Sequence, residues 1–395
     1  MRTVLTADSL WTGFTLLPYP VVEIDGDRVV AITEGFGAPV DLPGAEVHEF
    51  KGAMLAPAFF DVHIHGAAGH DVMEATPEAL GAMGRFLATH GTGSYLATTV
   101  TAPLEMTLRA LDGLAKLIDH PERIDEDGDA ALPIGIHLEG PFLSHAKCGV
   151  QPREFLLEPD IATFDRLYEA AGGHARLMTL APELPGAVEL AAHATAKGVR
   201  VSVGHSDATA EETRAAIAAG AVSATHTFSA MRPLDHREPG ILGIVLATDS
   251  LYAELICDGI HNVPEMAKIW WKTKGPDRGI LVTDAMSAAG MPDGEYHLGG
   301  FAVQVANGRA TARGVLAGSV LTLDRALENF VAFTGAAVEE ALRLLTVNPA
   351  AMTGFGDVAG TIAVGRKANL VAIDAAGKLV ASIHSGVLVG AVAAR

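Results

Sequence analysis

Cysteine is scarce in this chain: Cys148 and Cys257 are the only two in 395 residues, too few for the disulfide framework that staples small secreted folds. Positive charge is also in short supply. Lysine and arginine total 28 against 47 aspartates and glutamates, a net charge of −19, and so acidic a chain repels nucleic acid and anionic membrane surfaces. Any anionic substrate must be met by a local cluster of positive groups. No run approaches the roughly 18 apolar residues of a membrane span, and Met1-Arg2-Thr3-Val4 leads into no apolar signal core. These absences predict a cytoplasmic protein with neither nucleic-acid nor membrane partners. What is abundant is apolar matter, 49% of residues against 19% charged, enough for a large compact core.

Both ends of the chain read as β-structure. Val21 to Ile32 has hairpin grammar around Asp25-Gly26-Asp27, and Asn369 to Ala381 repeats it around Ala375-Ala376-Gly377-Lys378. Between about Pro57 and Gly356, short apolar runs alternate with amphipathic helical stretches, the pattern of a parallel sheet with crossover helices. The runs are Phe59 to His65, Ser94 to Thr99, Pro133 to Glu139, Arg176 to Leu180, Val199 to His205, Ser223 to Phe228, Tyr252 to Cys257 and Gly279 to Asp284. Eight strands in βα units predict an α/β fold, a (β/α)8 TIM-type barrel. Helix starts are legible between them, at Thr76-Pro77 and at the capping box Thr209-Ala210-Glu211-Glu212. The stretch Ser229 to Gly240 is long and polar, in the manner of an active-site loop.

The chemistry concentrates where such a barrel places it, at the C-terminal ends of the strands. His63 and His65 end the first strand on one face, because strand side chains alternate, and can grip one divalent cation. A lone His-x-His also suits two polar residues leaving a strand for a loop. Glu139 at the end of the third strand, His205 at the fifth, His226 near the end of the sixth and Asp284 at the eighth separate the two readings, since core packing does not place metal-ligand types at five of eight strand ends.

These motifs resemble the amidohydrolase superfamily, in its branch of N-acetylglucosamine-6-phosphate deacetylases. The matching pieces are Asp61-Val62-His63-Ile64-His65-Gly66, His137-Leu138-Glu139-Gly140-Pro141-Phe142, Val203-Gly204-His205-Ser206, Thr225 to Met231, Asp258-Gly259-Ile260-His261, Thr283-Asp284-Ala285-Met286 and Leu316-Ala317-Gly318-Ser319. The resemblance implies a catalytic barrel over 57–357 and a small β-sandwich domain built from both termini, 1–56 and 358–395. It implies removal of the acetyl group from N-acetyl-D-glucosamine 6-phosphate, giving D-glucosamine 6-phosphate and acetate, in amino-sugar catabolism and cell-wall recycling. It also favours a homodimer.

On that resemblance Glu139, His205 and His226 hold one cation, while His63 and His65, helped by Glu139 and Asp284, hold a second. Many relatives bridge two metals with a carbamylated lysine ending the fourth strand. Here that strand ends Met178-Thr179-Leu180-Ala181-Pro182-Glu183, which leaves Glu139 to bridge. One or two divalent ions are expected, and nitrogen and oxygen donors suit zinc, iron, manganese and cobalt alike. Asp284 is the expected base, taking a proton from water and returning it to the departing amine. Arg237 and His261 match phosphate-contacting positions, and a nearby anion would raise the pKa of His261. Leu316, Ala317 and Gly318 line the acetyl pocket, and Gln151, Ser229 and Ala230 belong to the sugar site. Gln151 and Ser229 depart from the histidine and asparagine usual there, which puts sugar specificity in question. His137 is expected to face the barrel interior beside Glu139, and Cys148 to be an exposed loop thiol. Two other functions fit the sequence: deacetylation of N-acetylgalactosamine 6-phosphate or another N-acyl compound, and a non-catalytic scaffold that keeps the fold.

Overall fold

The computed structural model describes residues 2–35 and 44–391. All eight apolar runs fold as strands: Phe59–Ile64, Thr92–Thr99, Leu132–Glu139, Ala175–Leu180, Arg200–Val203, Ala221–Ala224, Ala253–Ile256 and Gly279–Val282. The first six lie side by side in chain order in one parallel sheet, and the last two pair with each other, also in parallel. Backbone hydrogen bonds run on past both edges of the larger sheet. At one edge Tyr252 N–H donates to Val222 O (2.9 Å) and Thr227 N–H to Glu254 O (2.8 Å); at the other Asp284 N–H donates to His63 O (2.9 Å). The fold is thus mixed α/β, with a curled parallel sheet at its centre. Helices cover the outside, so these strands are buried on both faces and read as continuous apolar runs rather than alternating ones. The Phe59–Ile64 strand has no exposed residue at all.

Local signals place the crossovers. Thr76 Oγ accepts from Ala79 N–H, with Pro77 in the first helical position, and starts the helix Pro77–Thr89. Thr209 and Glu212 form the reciprocal capping box that opens Ala210–Ala218 directly after the fifth strand.

The two termini meet in one eight-stranded sheet. Its path runs Val387–Ala391, Leu379–His384, Leu370–Asp374, Ala45–Pro57, Arg2–Trp11, Pro20–Asp25 and Arg28–Glu34, with Leu16–Pro18 also on Arg2–Trp11. Both expected hairpins are present. The sheet has its own apolar cluster, including Leu5, Leu10, Ile24, Leu55, Leu370 and Ile383. Leu370 pairs with Pro57, so the C-terminal segment braces the chain just where it enters the strand bearing His63 and His65.

One element went unread in the sequence. After the eighth strand an antiparallel four-stranded sheet forms from Gly294–Leu298, Phe301–Ala306, Arg309–Ala312 and Val315–Leu316. Its turns, Gly299-Gly300, Asn307-Gly308 and Arg313-Gly314, were visible. It delivers Leu316, Ala317 and Gly318 back to Asp284.

Candidate metal centre

The five predicted ligands and Asp284 converge at one end of the parallel strands. Glu139 sits in the middle. Its Oε1 lies 3.2 Å from His205 Nε2, 3.1 Å from His226 Nε2 and 3.3 Å from His63 Nε2, while Oε2 lies 3.3 Å from His65 Nε2. Asp284 Oδ1 stands 3.2 Å from His65 Nε2 and 3.6 Å from His63 Nε2. Two donor groups result, His63-His65-Glu139 and Glu139-His205-His226, each with ligand atoms within 4.8 Å of one another and all buried. Glu139 belongs to both, as its place on the face shared with His137 allows.

These donors suit a divalent cation. His63 Nε2 is buried with no hydrogen-bond partner, and the Nε2 atoms of His205 and His226 face each other across 3.1 Å. Imidazole nitrogens and carboxylate oxygens aimed at shared points match the donor sets of zinc, iron, manganese or cobalt. The backbone is bent to achieve it: His205, His226 and Asp284 have φ of 45°, 26° and 48°, a region costly for residues that carry a Cβ.

Burial opposes charge on His63, His65, Glu139 and Asp284, yet mutual attraction outweighs it on each. It works against protonated His63, but Glu139 and Asp284 raise that ring well above the usual histidine value. His65 is likewise carried up to about 9, against burial, by Asp284 and Glu139. Glu139 is held well below the carboxylate range by the facing histidines, and Asp284 is lowered by His63 and His65. Without a cation, protons on His63 and His65 balance the carboxylates. A bound cation takes the place of those protons.

A second layer orients the first. His65 Nδ1 donates to Thr98 O (3.0 Å) and His205 Nδ1 to Lys147 O (3.0 Å), which turns both Nε2 atoms toward the cluster. Glu183, in the turn just past the fourth strand, accepts from Ser206 Oγ (2.7 Å) and Asp207 N–H (2.6 Å) and pins the turn behind His205. His137 faces inward, as expected, 2.8 Å from Thr179 Oγ1; burial pushes its pKa well below the usual value, helped by His63. Glu254 was passed over. It is wholly buried in the seventh strand, with Oε2 3.1 Å from His63 Nδ1. The available signal was a lone carboxylate inside the apolar run Ala253-Glu254-Leu255-Ile256.

The outer residues divide. His261 is nearly buried, with Nδ1 2.7 Å from Asp258 Oδ2. Burial lowers its pKa, but Asp258 outweighs that and raises it, so the anion beside it is a residue of the chain itself. Arg237 is exposed in its loop, its backbone N–H on Asp235 (2.9 Å). Arg232, not singled out in the sequence, is partly buried and pairs with Asp207 at 3.2 Å. Ser229 N–H donates to His226 O, and Ala230 O accepts from Ser206 N–H, both at 3.0 Å, so these residues close the turn after His226. Ala317 is buried, Leu316 is partly so, and Gly318, at φ 61°, would bring a Cβ to 2.9 Å from Asp284 O. Gln151 is buried with its amide engaged. Nε2 donates to Glu139 Oε2 (2.7 Å) and Oε1 accepts from Thr101 N–H (2.9 Å), which places it against a predicted ligand. Cys148 is not an exposed thiol: it is 4% exposed, packed with Leu143 and Leu156, because the loop after the third strand folds back onto the end of the parallel sheet.

Comparison with known proteins agrees with this geometry. The model of the amidohydrolase family matches residues 54–391. An N-acetylgalactosamine-6-phosphate deacetylase of Escherichia coli O157:H7 is 40% identical over 88% of this chain and 91% of its own. An N-acetylglucosamine-6-phosphate deacetylase of Lysinibacillus sphaericus is 38% identical over 84% of each. Among solved structures, a substituted N-acetyl-D-glucosamine-6-phosphate deacetylase of Mycobacterium smegmatis, in complex with N-acetyl-D-glucosamine-6-phosphate, superposes with a TM-score of 0.89 at 36% identity, covering 98% of this chain and 99% of that one.

Proposed function

The chain belongs to the amidohydrolase family, and from that premise we propose that it hydrolyses the acetamide of N-acetyl-D-glucosamine 6-phosphate to D-glucosamine 6-phosphate and acetate. The observation that carries this reading is Glu139 shared between two buried donor groups with Asp284 beside them. In this reading His63, His65, Glu139, His205 and His226 hold one or two divalent cations. A cation there supplies electrophilic polarisation of the amide carbonyl and acidifies water. Asp284, ionised beside His63 and His65, accepts a proton from the attacking water and returns it to the sugar nitrogen as the C–N bond breaks.

The remaining assignments rest on placement. Leu316, Ala317 and Gly318 lie against Asp284 and suit the acetyl methyl. Ser229 and Ala230, next to His226, suit the sugar. His261, anchored through Nδ1 by Asp258, keeps Nε2 for a phosphate or hydroxyl. Arg237, exposed on its loop, suits a phosphate in its own site or across a homodimer interface. We assign Gln151 to Glu139 rather than to the sugar. The backbone hydrogen bonds at both sheet edges favour a closed (β/α)8 barrel over 57–357, and the shared terminal sheet with its own core favours a small sandwich from 1–56 and 358–395. No helix among the described residues is long and apolar enough to cross a membrane, and we place the reaction in the cytoplasm.

A second reading, N-acetylgalactosamine 6-phosphate as the preferred substrate, is favoured by the 40% identity to an enzyme named for that activity. Acetate release from the gluco and galacto epimers, with unphosphorylated N-acetyl sugars beside them, separates the two. No acetate from any of them would overturn the deacetylase reading.

A further inference from the structure

We propose that Glu254 is a positioning residue that supports both halves of the metal centre through a single carboxylate oxygen. The inference rests on the reading of the two donor groups as cation sites. Glu254 lies in the Ala253–Ile256 strand with no exposed surface. Its Oε2 accepts from the ring of His63 through Nδ1 at 3.1 Å and from the backbone N–H of His226 at 3.2 Å. These residues belong to different groups, His63 to the pair with His65 and His226 to the pair with His205.

Each contact has a distinct consequence. Donation from Nδ1 of His63 leaves its Nε2 lone pair free, and that atom is the one aimed at Glu139 and Asp284. His65 and His205 obtain the same tautomer from backbone carbonyls, so His63 is the ligand whose outer nitrogen has a charged partner. On the other side, His226 holds its ring in place from a backbone at φ 26°, a conformation that persists only when neighbours over-determine it. The hydrogen bond from its N–H to Glu254 is one such constraint. A packing role alone does not account for the choice of residue: Oε1 of Glu254 is buried with no partner, a cost that an apolar side chain of similar size in this strand would avoid.

The test is zinc affinity of the full chain, stripped and reloaded in competition with a chromophoric chelator, for wild type, Glu254→Ala and Glu254→Gln. Outer partners of ligating histidines typically contribute about 10- to 100-fold in metal affinity. Every zinc ion held by the wild type should therefore bind about 10- to 100-fold more weakly to Glu254→Ala. The Gln variant keeps an acceptor oxygen without the charge and should fall between. In the zinc-loaded protein, nitrogen NMR should show the His63 Nδ1–H hydrogen-bonded in wild type and Gln variant, and moved toward the position of an unbonded imidazole N–H in the Ala variant. If any zinc ion keeps wild-type affinity in Glu254→Ala, the shared support is wrong. If that variant does not fold, wild-type affinity for every ion in Glu254→Gln overturns the proposal equally. A wild-type chain that takes up no divalent cation at all overturns the reading of the centre, and this inference with it.

Discussion

Thr283 Oγ1 donates to Asp61 Oδ2 across 2.6 Å, joining the strand that carries His63 and His65 to the strand that ends in Asp284. The other oxygen of Asp61 accepts from His63 N–H at 3.2 Å and Thr283 N–H at 3.4 Å. Burial pushes the Asp61 carboxyl up to about 7 despite these donors. Asp61→Ala strands buried donors, each worth about 1–3 kcal/mol when left unsatisfied. Urea unfolding should show a loss of at least that size, with Asp61→Asn milder. An unchanged midpoint for the Ala variant would show that the joint contributes no stability.

Removing Glu139, common to both donor groups, should matter most. Glu139→Ala and His205→Ala are expected to lose bound metal and nearly all turnover, whereas His63→Ala should empty only the group it shares with His65. Metal content after dialysis, measured by elemental analysis, checks this. Full occupancy in Glu139→Ala would sink the bridging role.

Asp284→Asn is expected to fold and bind substrate as wild type does, yet to turn over several orders of magnitude more slowly, because a carboxamide cannot accept the proton. The diagnostic is kcat falling with KM little changed. Near-normal kcat would remove Asp284 from the mechanism.

Phosphate recognition can be isolated by comparing substrates. A charge-assisted hydrogen bond contributes about 1.5–3 kcal/mol, so Arg237→Ala should cut kcat/KM for the phosphorylated sugar by roughly 10- to 150-fold. The unphosphorylated sugar should be little affected. Equal losses on both substrates, for Arg237→Ala and His261→Ala alike, would assign these residues to the fold or the metal centre.

His384 offers a test of pH dependence remote from the chemistry. It is 2% exposed at the end of the Leu379–His384 strand, and burial lowers its pKa from 6.5 to about 4. The unfolded chain then binds a proton below about pH 6.5 that the folded chain binds only below about pH 4, so the folded state loses stability as pH falls through that window. The full cost is about 3 kcal/mol. His384→Leu should flatten that part of the profile in denaturant unfolding between pH 7 and pH 4. Parallel profiles for the two proteins would mean that the ring is protonated when folded.

The eight strands, both terminal hairpins and the buried donors His63, His65, Glu139, His205 and His226 were legible because each leaves a local signature. A parallel strand buried on both faces is a continuous apolar run, and a ligand at its end is a polar residue breaking that run. The order of runs and helix caps then dictated which ends face the same way. The supports of the site also break their runs, as Glu254 does in Ala253-Glu254-Leu255-Ile256, but the sequence does not name their partners. Glu254, Glu183 and Asp61 act on residues 191, 24 and 222 positions away, and nothing within a strand's own sequence says which neighbour its carboxylate will meet. Gln151, read in the sequence as part of the sugar site, has its amide on Glu139 because the loop after the third strand folds back, and the same fold buries Cys148. Left-handed backbone at His205, His226 and Asp284 likewise defies local preference. Hydrogen bonds from distant segments help to hold it, as from Ser144 N–H to His205 O and from Ser319 N–H to Asp284 O, and so the tertiary structure decides it.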